Sequence, residues 1–390
     1  MNRVPPFLRW LVASVAAVAA LTGLFYVKGQ GQPDPLPAYL TAAPTPTSTE
    51  VPKKIDRLLV QVADSKNHIV GTALLIRGPG TLHVLNFAPH VVLDMGDAGL
   101  MDMYTAGAIQ LPEQIQRGLT LASGIPIDGT LVMQRLALAG LVDAVGGVDV
   151  QSSQMYNIAS AGAPQDFVTP GRNHLTGGRA ASYATFLALG EAESDRIARF
   201  NAVLRAALAG LPNDPVRAQE VVSALGSLAR STIPTPNVVD ALSYFNSNNL
   251  WPTATYDTIP TKSSALEQSL TSSWRRINLA AANTLISQRV GPTDLTDLPM
   301  RILVSGGLAT QRLALRNQIH TLGFVFVDGG GGALPPSTQV TMRQGAVSSN
   351  VTLLLAALKF DKAPPSVMTS PDQPCDVHII IGTDLQDSTK

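Results

Sequence analysis

Between Trp10 and Val27 the chain runs for 18 residues without a charge, as WLVASVAAVAALTGLFYV. A helix rises about 1.5 Å per residue, so the run spans about 27 Å, close to the hydrocarbon thickness of a bilayer, and it predicts a transmembrane anchor over residues 10–27. Arg3 and Arg9 precede it and Lys28 follows. The basic bias on the N-terminal side puts residues 1–9 in the cytoplasm and everything beyond the run outside it, a single-pass placement in the cell membrane. The competing reading is a cleaved signal peptide. It needs small residues just past the apolar stretch, and Leu24-Phe25-Tyr26-Val27-Lys28 is a poor cleavage site.

Residues 28–56 then read as a linker, because PDPLPAYLTAAPTPTSTEVP favours extended, unpaired backbone. The remainder can bury a core, since 45% of the chain is apolar and only 14% is charged. Lys+Arg and Asp+Glu both number 28, so no global field draws the chain to nucleic acid and any anion binding is local. The single cysteine, Cys375, excludes an internal disulfide framework and reads as a small residue beside a C-terminal strand. No G-x-S-x-G, Walker loop or H-E-x-x-H occurs, which removes the footholds for hydrolase, nucleotidase and zincin readings.

Apolar segments at 58–63, 72–77 and 81–87 predict strands, with Gly78-Pro79-Gly80 turning a hairpin between the last two. Helices are expected over 112–122, 134–144, 180–189, 193–211, 215–229 and 238–245, with short strands at 129–133 and 148–150. The order implies an α/β domain over 57–290, a mixed sheet with helices on both faces. A smaller α/β domain over 298–388 follows from a strand at 301–304, a helix at 311–322, a strand at 323–327, a helix at 350–358 and a last strand at 377–381. Gly306-Gly307 lacks the dinucleotide spacing, and Gly329–Gly332 reads as a flexible loop.

Ile127-Asp128-Gly129-Thr130-Leu131-Val132, Leu141-Val142-Asp143-Ala144-Val145-Gly146-Gly147-Val148-Asp149-Val150, the stretch Pro170 to Ala180, and Glu193-Ser194-Asp195-Arg196-Ile197-Ala198-Arg199 stand in order along the chain. Together they resemble the LytR-CpsA-Psr family, over roughly residues 57–211, and residues 300–383 are similar to the LytR C-terminal domain found in many actinobacterial members. The resemblance implies attachment of glycopolymers from polyprenyl-pyrophosphate carriers to peptidoglycan, helped by a divalent cation such as Mg²⁺ or Mn²⁺. That chemistry needs arginines that fork the pyrophosphate, a carboxylate for the metal and an apolar groove for the lipid.

Several positions depart from the family pattern. Val70-Gly71-Thr72 stands where the family has Ser-Asp-Thr, and Pro89-His90-Val91 where it has Pro-Arg-Asp. Tyr183, Thr185 and Leu187 stand in its Tyr-x-Arg-x-Arg segment, and Phe200 replaces the glutamine that ends its arginine helix. Arg196 and Arg199 remain, with Glu193 in place of an aspartate, and these three are the substrate-binding candidates. Three apart, the arginines share one helical face, where they read either as phosphate ligands or as a solvated face with a Glu193–Arg196 pair. His90 is a structural histidine or a substitute cation; Asp94, Asp97 and Asp102 are a solvated loop or a source of metal oxygens. Asp143 and Asp149 read as a polar helix end and a strand entry. The expected function is that of a degenerate member that binds lipid phosphate or scaffolds wall assembly; the alternative is an active metal-dependent phosphotransferase with a rebuilt site. No metal ligand is assigned.

Overall fold

The structure is a computed structural model that describes residues 54–385 apart from 110, 160–164, 265, 267–272, 292–298, 333, 347, 361–364 and 369–374. The expected anchor over 10–27 lies outside the described residues, among which no helix is long and apolar enough to cross a membrane.

Three strands open the fold: β1 (Arg57–Ala63), β2 (Ile69–Gly78) and β3 (Thr81–Asn86). Helix α1 (Pro112–Ser123) leads to β4 (Gly129–Gln134) and α2 (Arg135–Ala144). Strands β5 (Val148–Ser152) and β6 (Gly171–Leu175) form an antiparallel pair before α3 (Gly177–Thr185), α4 (Glu193–Ala209) and α5 (Pro215–Ala224). Then come β7 (Ala229–Ser231), α6 (Thr235–Ser247), β8 (Thr255–Thr258), β9 (Thr261–Ser263), β10 (Arg275–Ile277) and α7 (Leu279–Arg289). The chain continues through β11 (Arg301–Gly306), α8 (Ala309–Thr321), β12 (Val325–Gly330), β13 (Gln339–Met342), α9 (Ser348–Ala357), β14 (Ser366–Val367) and β15 (Val377–Ile381).

The large sheet has the order β7-β4-β1-β2-β3-β8 and mixes parallel and antiparallel pairs. Alternation along β1 fills both faces. Leu58, Val60 and Val62 join a core with residues of α2, α3, α4 and α6, while Leu59 and Ala63 join a second core with Ile115, Leu119 and Ile286 of α1 and α7. This is the expected mixed sheet flanked by helices.

The second sheet, β12-β11-β15-β13-β14, is parallel through its first three strands. Ile302 and Val304 of β11 and Ile379 of β15 face a core that includes Leu315 and Ile319 of α8. Arg301 of β11 gives Nε to the carbonyl of Leu121 at 2.9 Å, and Arg316 of α8 forks Asp94 at 2.7 and 3.2 Å.

Three local expectations are corrected. The helix expected over 180–189 starts at Gly177 and stops at Thr185, for reasons given below. The helix expected to reach 229 stops at Ala224, because Ala229–Ser231 leaves it to pair with β4. Gly329 and Gly330 belong to β12 rather than to a loop. A Cβ on Gly329 would sit 2.7 Å from the Ser305 Cβ, so glycine lets the strand close on β11 where the register shifts.

The helix start at Gly177 joins two of the sequence segments quoted above. Asp143, at the end of α2, accepts a 2.7 Å hydrogen bond from the Gly177 N–H and so caps α3 from a neighbouring helix. A Cβ on Gly177 would strike that carboxylate and the carbonyl of Ala139, whereas one on Gly178 would meet nothing within 4 Å. Gly177→Ala should therefore cost about 1–3 kcal/mol, and Gly178→Ala should leave stability unchanged or raised. Urea denaturation of both variants checks this, and equal losses would contradict the close approach.

Candidate functional site

Helix α4 carries the three sequence candidates. Acidic Glu193 and Asp195 occupy its first turn, where the helix dipole favours them. Arg196 and Arg199 do share one face, as their spacing requires, and that face turns inward: they are 3% and 4% exposed.

Arg196 donates Nη1 to the carbonyl of Val70 in β2 and Nη2 to Glu193, which remains partly exposed. Arg199 is enclosed further. Its Nε and Nη2 fork Glu191 at 3.0 and 2.7 Å, Nη1 reaches the carbonyl of Tyr183, and Nη2 also reaches that of Phe186 at 2.5 Å. The guanidinium carbon lies 4.5 Å from the ring centre of Tyr156 and 5.1 Å from that of Tyr183. Arg199 thus takes carbonyls at the C-terminus of α3, and this is why that helix ends at Thr185. Glu191 is buried opposite it. Sequence reasoning missed Glu191 because it precedes α4 and has no helical spacing to Arg199.

Near the Val70 end of Arg196 stands a second group of residues. His90 Nδ1 lies 2.7 Å from Asp102, and His68 Nδ1 lies 3.2 Å from Asp64. Tyr104 lies between the imidazoles, stacked on His68 at 4.3 Å and tilted to His90 at 5.1 Å. A carboxylate only accepts, so neutral His90 and His68 carry the proton on Nδ1 and present a bare Nε2. Burial by itself would raise the Asp102 carboxyl, but hydrogen bonds from His90 and Thr105 outweigh it and hold the group below its ordinary 3.8. The stability this adds is present above that value and is lost as pH falls through the lower folded one. The Tyr104 hydroxyl is pushed up by burial, then by Asp64 and Asp102, with Arg196 opposing. Of this group the sequence offered His90 and Asp102; Asp64, His68 and Tyr104 come from separate segments with no shared motif.

The remaining acids of the loop are parted. Asp94 is taken by Arg316, and Asp97 faces solvent, 4.0 Å from His320. Asp149 pairs with Arg172 and His174 on the exposed β5–β6 ribbon.

Two departures from the family pattern meet in space. A Cβ on Gly71 would lie 2.7 Å from the ring of Phe200, so the phenyl group packs over the position where the resemblance implies a metal carboxylate. Phe200 is 2% exposed and belongs to the core. Among the described residues no group of three His, Cys, Asp or Glu side chains is arranged to hold a metal ion. The residues present around Gly71 therefore do not fit the divalent cation that the resemblance implies.

No curated protein matches the chain in sequence. Residues 102–264 match the LytR_cpsA_psr family. TagV of B. subtilis is 16% identical and superposes with a TM-score of 0.50 over 62% of this chain and 99% of its own. TagT bound to LI-WTA is 14% identical, with a TM-score of 0.50 over 62% of this chain and 92% of its own. TagT bound to LIIa-WTA is 14% identical, at 0.50 over 64% and 95%. At such identities the likeness is one of fold.

If the ring of Phe200 holds the space above Gly71, Gly71→Asp should destabilise the protein by about 2–4 kcal/mol, through overpacking and burial of a carboxylate. Adding Phe200→Gln should recover part of that loss although it is costly alone. A double-mutant cycle by chemical denaturation measures the coupling. Additive losses would show that the two positions do not share the space.

Proposed function

We propose that this chain is a cell-envelope protein that binds a polyprenyl-phosphate-linked glycopolymer without transferring it efficiently, anchored through residues 10–27 with its bulk outside the cytoplasm. The observation that carries this reading is the Phe200 ring packed over Gly71, where a metal-binding carboxylate would be needed. Arg199 supports it, because its N–H groups are spent on Glu191 and two carbonyls. Arg196 is the exchangeable cation, since its carboxylate partner Glu193 is partly exposed and can yield to a phosphate. Beside them, the segment that replaces two family arginines presents Phe186, Leu187 and Leu189 at 40%, 47% and 106% exposure, a surface suited to a lipid chain or bilayer. The similar fold of TagT, held with LI-WTA and LIIa-WTA, is the precedent for a wall polymer as ligand.

In this reading the protein releases little polyprenyl phosphate from a lipid-pyrophosphate substrate with Mg²⁺ or Mn²⁺. Removal of one transition-state electrostatic partner costs roughly 10²–10³ in rate, and several are replaced here. Turnover equal to that of a relative with the full arginine and carboxylate set would overturn the proposal. One arrangement favours the second reading, a rebuilt active site: buried Asp102 holds His90 by Nδ1 and leaves Nε2 bare, as a general base would need. Turnover abolished by His90→Ala would establish that reading instead.

The anchor is tested separately. A reporter fused after Lys390 should be active only outside the cytoplasm, and cytoplasmic activity in intact cells would remove the envelope role.

A further inference from the structure

The main core of the second sheet lies on one of its faces. On the other, Leu303 and Ser305 of β11 and His378 of β15 look towards α7 across a cavity of about 740 Å³. This is the size of a small-molecule site. Its remaining walls come from Lys262 of β9, Arg276 of β10, the polar side of α7 and the glycines that end β12.

The chemistry of this lining is one-sided. Two cations face the cavity and no carboxylate does. Among the described residues neither the Lys262 nor the Arg276 side chain makes a hydrogen bond or ion pair, although most of the other half-buried arginines are paired. The acids that share a neighbouring pocket with Arg276 are already committed: Asp94 to Arg316, and Asp328 to Arg312 Nε at 3.0 Å, the Gly330 N–H at 3.0 Å and the Ser264 hydroxyl at 3.3 Å. Arg276 lies against Gly330, where any Cβ would collide with its guanidinium, so the glycine keeps that group's position open.

Polar side chains also stand where a sheet face would ordinarily carry apolar ones. Ser305 Oγ and His378 Nε2 are 2.7 Å apart, and Asn278, just before α7, and Thr284 and Ser287 within it line the same space. Burial lowers the His378 pKa, so the imidazole is neutral near pH 7 and the positive charge of the site belongs to Lys262 and Arg276.

We propose that this cavity binds a phosphate-bearing, hydroxyl-rich ligand, with Lys262 and Arg276 on the phosphate and the Ser305–His378 pair and the α7 side chains on the hydroxyl groups. Arginine and lysine without protein acceptors match phosphate oxygens, and neutral donor–acceptor groups match a polyol or sugar. The volume exceeds that of a bare anion. This site is separate from the Arg196 region and does not depend on the function proposed for it.

The full chain in detergent is titrated calorimetrically with a phosphodiester-linked glycerol phosphate oligomer, inorganic phosphate and glycerol. The oligomer should bind, bare phosphate should bind at least about tenfold more weakly, and glycerol should not bind. Arg276→Gln and Lys262→Gln should each weaken the oligomer by about tenfold or more. Arg275→Gln, next in sequence but outside the cavity, should have no effect. Lys262 is exposed, so its variant tests the site even if Arg276→Gln disturbs folding. Absence of oligomer binding, binding unaffected by both variants, or an equal loss in Arg275→Gln would overturn the site. Equal affinity for bare phosphate would overturn the ligand class.

Discussion

The buried fork between Arg199 and Glu191 is the contact on which the helical layer depends. It ends α3 by taking the carbonyls of Tyr183 and Phe186, and it fixes the entry of α4 by holding Glu191 two residues before that helix begins. One turn earlier, Arg196 ties the same helix to the sheet at Val70. Removing one partner of such a pair leaves an uncompensated buried charge, at a cost of about 3–5 kcal/mol. Two arginines that resemble ligand groups thus serve first as brackets. Of their two carboxylate partners only Glu193 is partly exposed.

What could be read from the sequence follows from which physical signal is local. The alternation in β1 and the apolar content of β2 mark strands packed on both sides, and Gly124 and Gly146-Gly147 mark helix ends with positive φ. Helical spacing likewise put Arg196 and Arg199 on one face. Spacing could not say whether that face looks outward, because the answer lies with Glu191, Tyr156 and Val70 on other segments. The same limit hid β6, whose Arg172, Asn173 and His174 carry no strand pattern and which is held by pairing with β5. It also hid Asp64, His68 and Tyr104, which meet His90 only after folding.

The Gly71–Phe200 contact shows why the site cannot be understood one position at a time. Loss of a carboxylate at position 71 alone would leave a void beneath α4, and a phenyl ring at position 200 alone would collide with any side chain on β2. Together they pack as core. The polar chemistry that remains lies where Arg196 reaches Val70, within electrostatic range of Tyr104 and therefore near the two histidines.

The second sheet is joined to the first by contacts that also shape its polar face. Arg301 is almost fully buried, with one hydrogen bond to Leu121 and with Nη1 and Nη2 unpartnered, and burial pushes its pKa down to about 10. Burial pushes the neighbouring Cys375 thiol up to about 12, so it stays neutral and offers no countercharge. A charge kept under such conditions costs stability, and what it provides is position: it fixes β11 against the end of α1. From that point β11 runs outward through Leu303, packed with Leu121, to Ser305. The sheet face therefore passes from apolar to polar within one strand, as the cover changes from α1 to the cavity beside α7. The hydroxyl, imidazole and cations of that face follow from where the two sheets are fastened, since the apolar cover given by α1 ends there.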